Sequence, residues 1–164
     1  VDNPLKTLWA LLRLKAGPQD LPSSWALTLI VMMASFGASV LTAQHLGNET
    51  AAGRSLLAIG IQAIAVLAIL RYRRRPERAA QTLLALAAVG IAMGLLLFVL
   101  LVQADSNVNQ PLLFFVWFFI FCWGLAVDAN IYRHALDTSL SIGVLITVLL
   151  MAMTYVILHF AYTT

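Results

Sequence analysis

The chain has 164 residues, 62% of them hydrophobic and only 10% charged, and its mean hydropathy is +0.91. Water-soluble domains run to about 45–50% apolar and about 25% charged residues, so this composition excludes one and points to a polytopic membrane protein. The net charge of +3 does not imply nucleic acid, because the basic residues flank apolar segments, where anionic lipid headgroups are the nearer partner.

The first element is short. In the stretch N-P-L-K-T-L-W-A-L-L-R-L-K, Leu5, Leu8, Trp9 and Leu12 recur at helical spacing, with Lys6 and Arg13 on another face. This predicts an amphipathic helix that either lies flat on the headgroups or packs as a cap on the bundle. The run A-G-P-Q-D-L-P, Ala16 to Pro22, breaks it. Residues 1–23 thus form a helix and linker ahead of a membrane bundle. No cleavable signal peptide is expected, since the first long apolar run exceeds a usual h-region and lacks a small-x-small site at its end.

Five spans follow, at about residues 24–43, 55–70, 79–102, 111–127 and 139–161. The second is bracketed by Arg54 and Arg71 and rises only about 24 Å, so both arginines are expected to snorkel outward. Pro111 suits the first turn of the fourth span, and Asp137, Thr138 or Ser139 can cap the fifth. The fold class is therefore all-α integral membrane: five transmembrane helices preceded by a short amphipathic interfacial helix.

Charge sets the orientation. Arg71, Arg73, Arg74, Arg75 and Arg78 crowd one turn. If the N-terminus is cytoplasmic, these five join Lys6, Arg13, Lys15 and Arg133 on the cytoplasmic side, and only Arg54 of the ten basic residues lies outside. The positive-inside bias then agrees at every connection. A multi-pass protein of the bacterial inner membrane, with its C-terminus periplasmic, is expected. The arginine run is read as a topological pin and a contact for lipid headgroups.

Candidate chemistry is sparse. Asp128, Arg133 and Asp137 are placed near the inner interface, where Arg133 and Asp137 have i, i+4 spacing, and an ion-pair network is expected among the three. Gln62 sits near the centre of the second span and calls for an interhelical hydrogen bond. Gly90 and Gly94 form a GxxxG for close helix packing, and Ser35 and Ser39 a small-xxx-small pair. Phe114, Phe115, Trp117, Phe118, Phe119, Phe121 and Trp123 surround the fourth span. Tyr72, Tyr132, Tyr155 and Tyr162 read as interfacial anchors. Cys122, the single cysteine, allows no intramolecular disulfide and reads as a small buried hydrophobe. His45 and His159 share the outer side but lack completing ligands, and His134 lies on the inner side. Asn48-Glu49-Thr50 matches a glycosylation sequon. No GxSxG, HExxH, Walker A or paired acidic motif occurs, so no catalytic residue, metal or cofactor is expected.

A segment opening with Asn3-Pro4, five closely spaced spans and no soluble domain resemble the Yip1-type family, particularly its bacterial branch. Eukaryotic members carry an aspartate-leucine-tyrosine-glycine-proline motif before the first span; here Asp20-Leu21 is followed by Pro22. The resemblance implies membrane organisation rather than catalysis or Rab-GTPase recognition. The leading expectation is a non-enzymatic organiser or assembly scaffold whose partners are anionic lipid and another membrane protein or copies of itself. The alternatives are an accessory subunit of a respiratory or secretory complex and, behind it, a small oligomeric transporter.

Overall fold

The computed structural model describes residues 4–47, 49–104 and 110–163, so the Asn48 sequon lies outside the described residues. Six α-helices account for nearly all of it: α1 (Pro4–Leu12), α2 (Trp25–His45), α3 (Ala51–Tyr72), α4 (Ala79–Gln103), α5 (Pro111–Leu136) and α6 (Leu140–Thr163). Single 3-10 turns, Pro18–Asp20 and Pro76–Arg78, precede α2 and α4. Five helices, α2 to α6, are long and apolar enough to cross a membrane. Much of their outer surface is apolar, including Ile30, Met33, Ile64, Leu112 and Leu149, as a lipid-facing bundle requires.

α4 is the central element. It packs most extensively on α2, and α5 lies between α4 and α6. Its first three turns are almost completely buried, from Ala79 to Leu86 and again at Val89, whereas its second half is largely open. The compact core therefore sits at one end of the bundle. We call this the basic end, because the α3–α4 turn with its arginines lies there. Leu70 of α3, Leu83 and Leu86 of α4, Ile131 and Leu136 of α5, and Leu11 of α1 meet in it.

Polar ties reinforce that end. The Thr28 hydroxyl is fully buried and lies 2.9 Å from the Ser24 carbonyl and 3.0 Å from the Ala80 carbonyl, which joins α2 to α4. The N-terminal segment is held by three side chains. Gln81 donates to the Leu21 carbonyl at 2.7 Å, Asn130 to the Ala16 carbonyl at 3.2 Å, and the Trp123 indole to the Leu12 carbonyl at 3.0 Å. The Ala16–Pro22 run can offer the Ala16 and Leu21 carbonyls because it folds as a tight turn, with the Gly17 N–H donating to the Asp20 carboxylate at 2.9 Å.

α1 packs on the side of α4 and α5 through Thr7, Leu8, Leu11 and Leu12, while Trp9 stays 62% exposed. The buried stripe is thus rotated from the expected one. Leu11 is its centre and Trp9 lies off it.

α5 continues to Leu136, nine residues past the boundary expected at Val127. The stretch after Val127, expected to stay helical for only a turn or two, remains so to Leu136: Asn130 holds the Ala16 carbonyl, and His134 Nδ1 donates to the Asn130 carbonyl at 2.9 Å. At 26 residues α5 rises about 39 Å, more than a hydrocarbon core of roughly 30 Å needs.

α5 and α6 approach closely at Gly143. A Cβ built on Gly143 would collide with the Ala129 carbonyl oxygen, which is backbone and cannot swing away. Gly90 and Gly94 instead border an open groove beside Ser35, Ala38 and Ser39 of α2, and nothing lies within 4 Å of a Cβ at Gly94. The close-packing role expected of the GxxxG thus falls to a lone glycine. Gly143→Ala should destabilise the bundle by about 1–3 kcal/mol through forced separation of α5 and α6. Gly94→Ala should stay within about 0.5 kcal/mol of the parent. Reversible unfolding in detergent, monitored by circular dichroism, measures both.

Candidate functional site

The arginine turn is built by two helix ends that close in the same way. α3 ends with Arg74 in the left-handed region at φ 58, and the Arg75 N–H reaches back to the Leu70 carbonyl at 2.8 Å. Pro76 then starts the 3-10 turn into α4. α5 ends with Asp137 at φ 48, where the N–H groups of Asp137 and Thr138 both donate to the Arg133 carbonyl. A left-handed residue at a helix C-terminus satisfies carbonyls that would otherwise lack donors, and aspartate tolerates that conformation better than most side chains.

These two turns lock together. Arg78 donates to the His134 and Ala135 carbonyls at 3.0 and 3.2 Å and to the Asp137 carboxylate at 3.1 Å. Arg75 forms a second ion pair with Asp137. Arg78 is therefore a cap for α5: it fills open carbonyls at the negative end of the helix dipole. The expected network of Asp128, Arg133 and Asp137 is replaced. Among the described residues the ion pairs of Asp137 are with Arg75 and Arg78 across the bundle, while Arg133 points outward and is exposed. An i, i+4 pairing of Arg133 with Asp137 fails because Asp137 has already left the helical path.

The lock divides the arginine run. Arg75 and Arg78 are engaged, and Arg71, Arg73 and Arg74 are exposed on the same turn. Tyr72 is 87% exposed beside them, as an interfacial anchor would be.

Asp128 lies elsewhere. It is eight residues before the end of α5, about 12 Å into the helix from the basic end. Gln62 of α3 stands at a similar depth, ten residues before Tyr72. The Gln62 amide and the Asp128 carboxyl both act electrostatically on the Tyr132 hydroxyl. Tyr132 is consequently buried between helices rather than an interfacial anchor. Gln62 does make an interhelical contact, with a partner that sequence spacing did not indicate. A carboxyl among membrane helices is rare and costly, and Asp128 stands beside two polar groups.

The remaining candidates settle into packing. His45 packs edge-on to Phe98 at 5.4 Å, and His159 stacks on Tyr155 at 6.2 Å. Arg54 lies over the Tyr162 ring at 5.6 Å instead of extending free, a cation–π contact at the far end of the bundle. Cys122, read as a buried hydrophobe, is exposed on α5, on the half of the helix that carries most of the aromatic residues. Among the described residues no group of three His, Cys, Asp or Glu side chains converges.

Fold and site together define a multi-pass helical membrane protein with a charge-locked basic end. No family model, curated protein or solved structure matches the chain.

Asp137 gives the lock a pH signature. The Arg78 hydrogen bond above all, helped by the charges of Arg78 and Arg75 and by the Arg75 hydrogen bond, holds its carboxyl below the ordinary 3.8 although desolvation pushes the other way. A carboxyl lowered in the folded state contributes stability that is fully present above the ordinary value. That contribution is lost as pH falls through the lowered one. Unfolding midpoints measured from neutral pH down through pH 4 and below should show this loss in the parent, and Asp137→Asn should remove that part of the acid dependence.

Proposed function

We propose that the protein is a non-enzymatic membrane organiser whose working surface is the basic end, set at the cytoplasmic face of a bacterial inner membrane. The observation that carries this reading is the division of the arginine run: Arg71, Arg73 and Arg74 remain exposed on a turn that Arg75 and Arg78 make rigid. Three cations on a fixed turn beside an exposed tyrosine suit anionic headgroups, at about 1 kcal/mol per basic residue. Lys6, Arg13 and Lys15 are exposed on the N-terminal segment strapped to the same bundle. The N-terminal helix then works as an interfacial element, its exposed Trp9 at headgroup level and its Leu11 face on the bundle. A neighbouring membrane protein, or a second copy, is gathered through the lipid this surface concentrates. The layout's resemblance to the Yip1-type family agrees with an organising role.

A second reading, an accessory subunit of a larger membrane complex, draws support from α5. Phe114, Phe115, Phe118 and Phe119 are each more than half exposed on its first two turns and beyond. Aromatic side chains of this kind are favoured where one membrane protein seats against another.

The lipid reading is tested by replacing Arg71, Arg73 and Arg74 with glutamine and analysing the lipid retained on protein purified from mixed phosphatidylglycerol and phosphatidylcholine micelles. Phosphatidylglycerol enrichment should fall tenfold or more while the unfolding midpoint holds. Replacing Arg75 and Arg78 should do the reverse, lowering the midpoint with a smaller effect on enrichment. Unchanged enrichment in the triple variant would remove the basis for this function. Reversed topology with unchanged enrichment would assign the run to orientation alone.

A further inference from the structure

Two cavities lie between α3 and α5. One, of about 330 Å³, opens among α2, α3, α4 and α5, with Ser35, Ser39, Ser55, Gln62 and Asp128 as its polar lining. The other, of about 420 Å³, lies among α3, α5 and α6 and includes Tyr132, Thr147 and Thr154. Ala58, Gln62 and Asp128 line both, so a carboxyl and an amide stand in the wall that the two cavities share. The sequence disperses these groups over helices 66 residues apart, and only the fold brings them to one place.

The chemistry of the lining selects a ligand. Neither cavity has a lysine or arginine in its wall, and among the described residues no ion pair engages Asp128. The polar groups that remain are acceptors or can act as acceptors: a carboxylate, an amide oxygen, a phenol and serine hydroxyls. Such a set repels anions and favours a positive charge. Each cavity exceeds by far the roughly 30 Å³ that one water occupies, so a bare ion would leave most of the space empty. The volumes fall in the range of small-molecule sites, about 300–1,000 Å³. The rest of the lining is apolar: Met32 and Met93 on one side, Leu125, Leu150 and Met151 on the other. Methionine side chains adapt to varied apolar shapes.

We propose that Asp128, Gln62 and Tyr132 form an intramembrane binding site for a small organic monocation, with its ammonium against Asp128 and its apolar part in the flanking cavities. Asp128 supplies the counter-charge and a charge-assisted hydrogen bond. Gln62 lines the same cavity as Tyr132 and offers its amide oxygen to a second ammonium proton. Thr147 can serve the ligand only as an acceptor, because its hydroxyl proton is already given to the Gly143 carbonyl at 3.0 Å. This site is independent of the anionic-lipid surface, lying about two turns deeper and using none of its arginines.

Radiolabelled benzylammonium is the probe, with the protein in nanodiscs of zwitterionic lipid so that no anionic surface competes. Saturable binding is expected, displaced by unlabelled benzylammonium and not by the neutral isostere benzyl alcohol. Asp128→Asn should weaken binding at least tenfold, and Asp128→Glu should restore part of it. Ala58→Phe keeps the charge and fills the shared wall, and it should also abolish saturable binding. Should Asp128→Asn aggregate, Gln62→Leu tests the same site with the carboxyl intact and should weaken binding severalfold. The proposal is overturned if the parent shows no saturable binding, if benzyl alcohol displaces the probe equally, or if folded Asp128→Asn or Ala58→Phe binds like the parent.

Discussion

The rest of the structure depends on Arg78 reaching from the start of α4 to the end of α5. A membrane helix that stops beside other helices leaves carbonyls without donors, and near the bilayer these cannot rely fully on water. Arg78 supplies donors to two of them and to the Asp137 carboxylate that closes the helix. Both turns of the basic end are thereby fixed in one arrangement. The buried core of α3, α4 and α5, the strapped N-terminal segment and the exposed remainder of the arginine run all take their positions from it.

The two ends of the bundle follow different physics. At the basic end α4 and α5 are buried on nearly all sides, and side-chain amides and hydroxyls bond neighbouring backbone, as in the core of a soluble protein. Toward the other end the helices offer large apolar side chains outward and contact each other less fully. Where apolar side chains meet lipid there is no hydrophobic gain from helix association, so packing and close backbone approach must hold the bundle. The contact of Gly143 with the Ala129 carbonyl is one such close approach.

Local apolarity made the five long helices legible in the sequence, and their number follows from it directly. The charge bias also located the arginine turn. What was illegible depended on contacts between distant residues. Apolarity ends at Val127 and leaves only a turn or two of further helix to be expected, yet Asn130 and His134 find partners and α5 runs on to Leu136. That Asp128 shares a wall with Gln62 of α3 had no sign in the spacing of either helix. The periodicity of α1 located a helix but not its buried face, since Leu11 serves the core and Trp9 does not. GxxxG spacing marked Gly90 and Gly94, and a lone glycine in α6 gave no signal at all. Nor could i, i+4 spacing reveal that Asp137 turns away from Arg133 and toward Arg78.

The central claim is that Arg78 and Asp137 act as one unit that joins the two turns. A double-mutant cycle tests it most directly: unfolding free energies of the parent, Arg78→Gln, Asp137→Asn and the double variant, measured in the same zwitterionic micelles. The account predicts that the double variant loses clearly less stability than the sum of the two single losses, because removing either partner already breaks the contact. Strictly additive losses would contradict it, since they would mean that each side chain stabilises the bundle without the other.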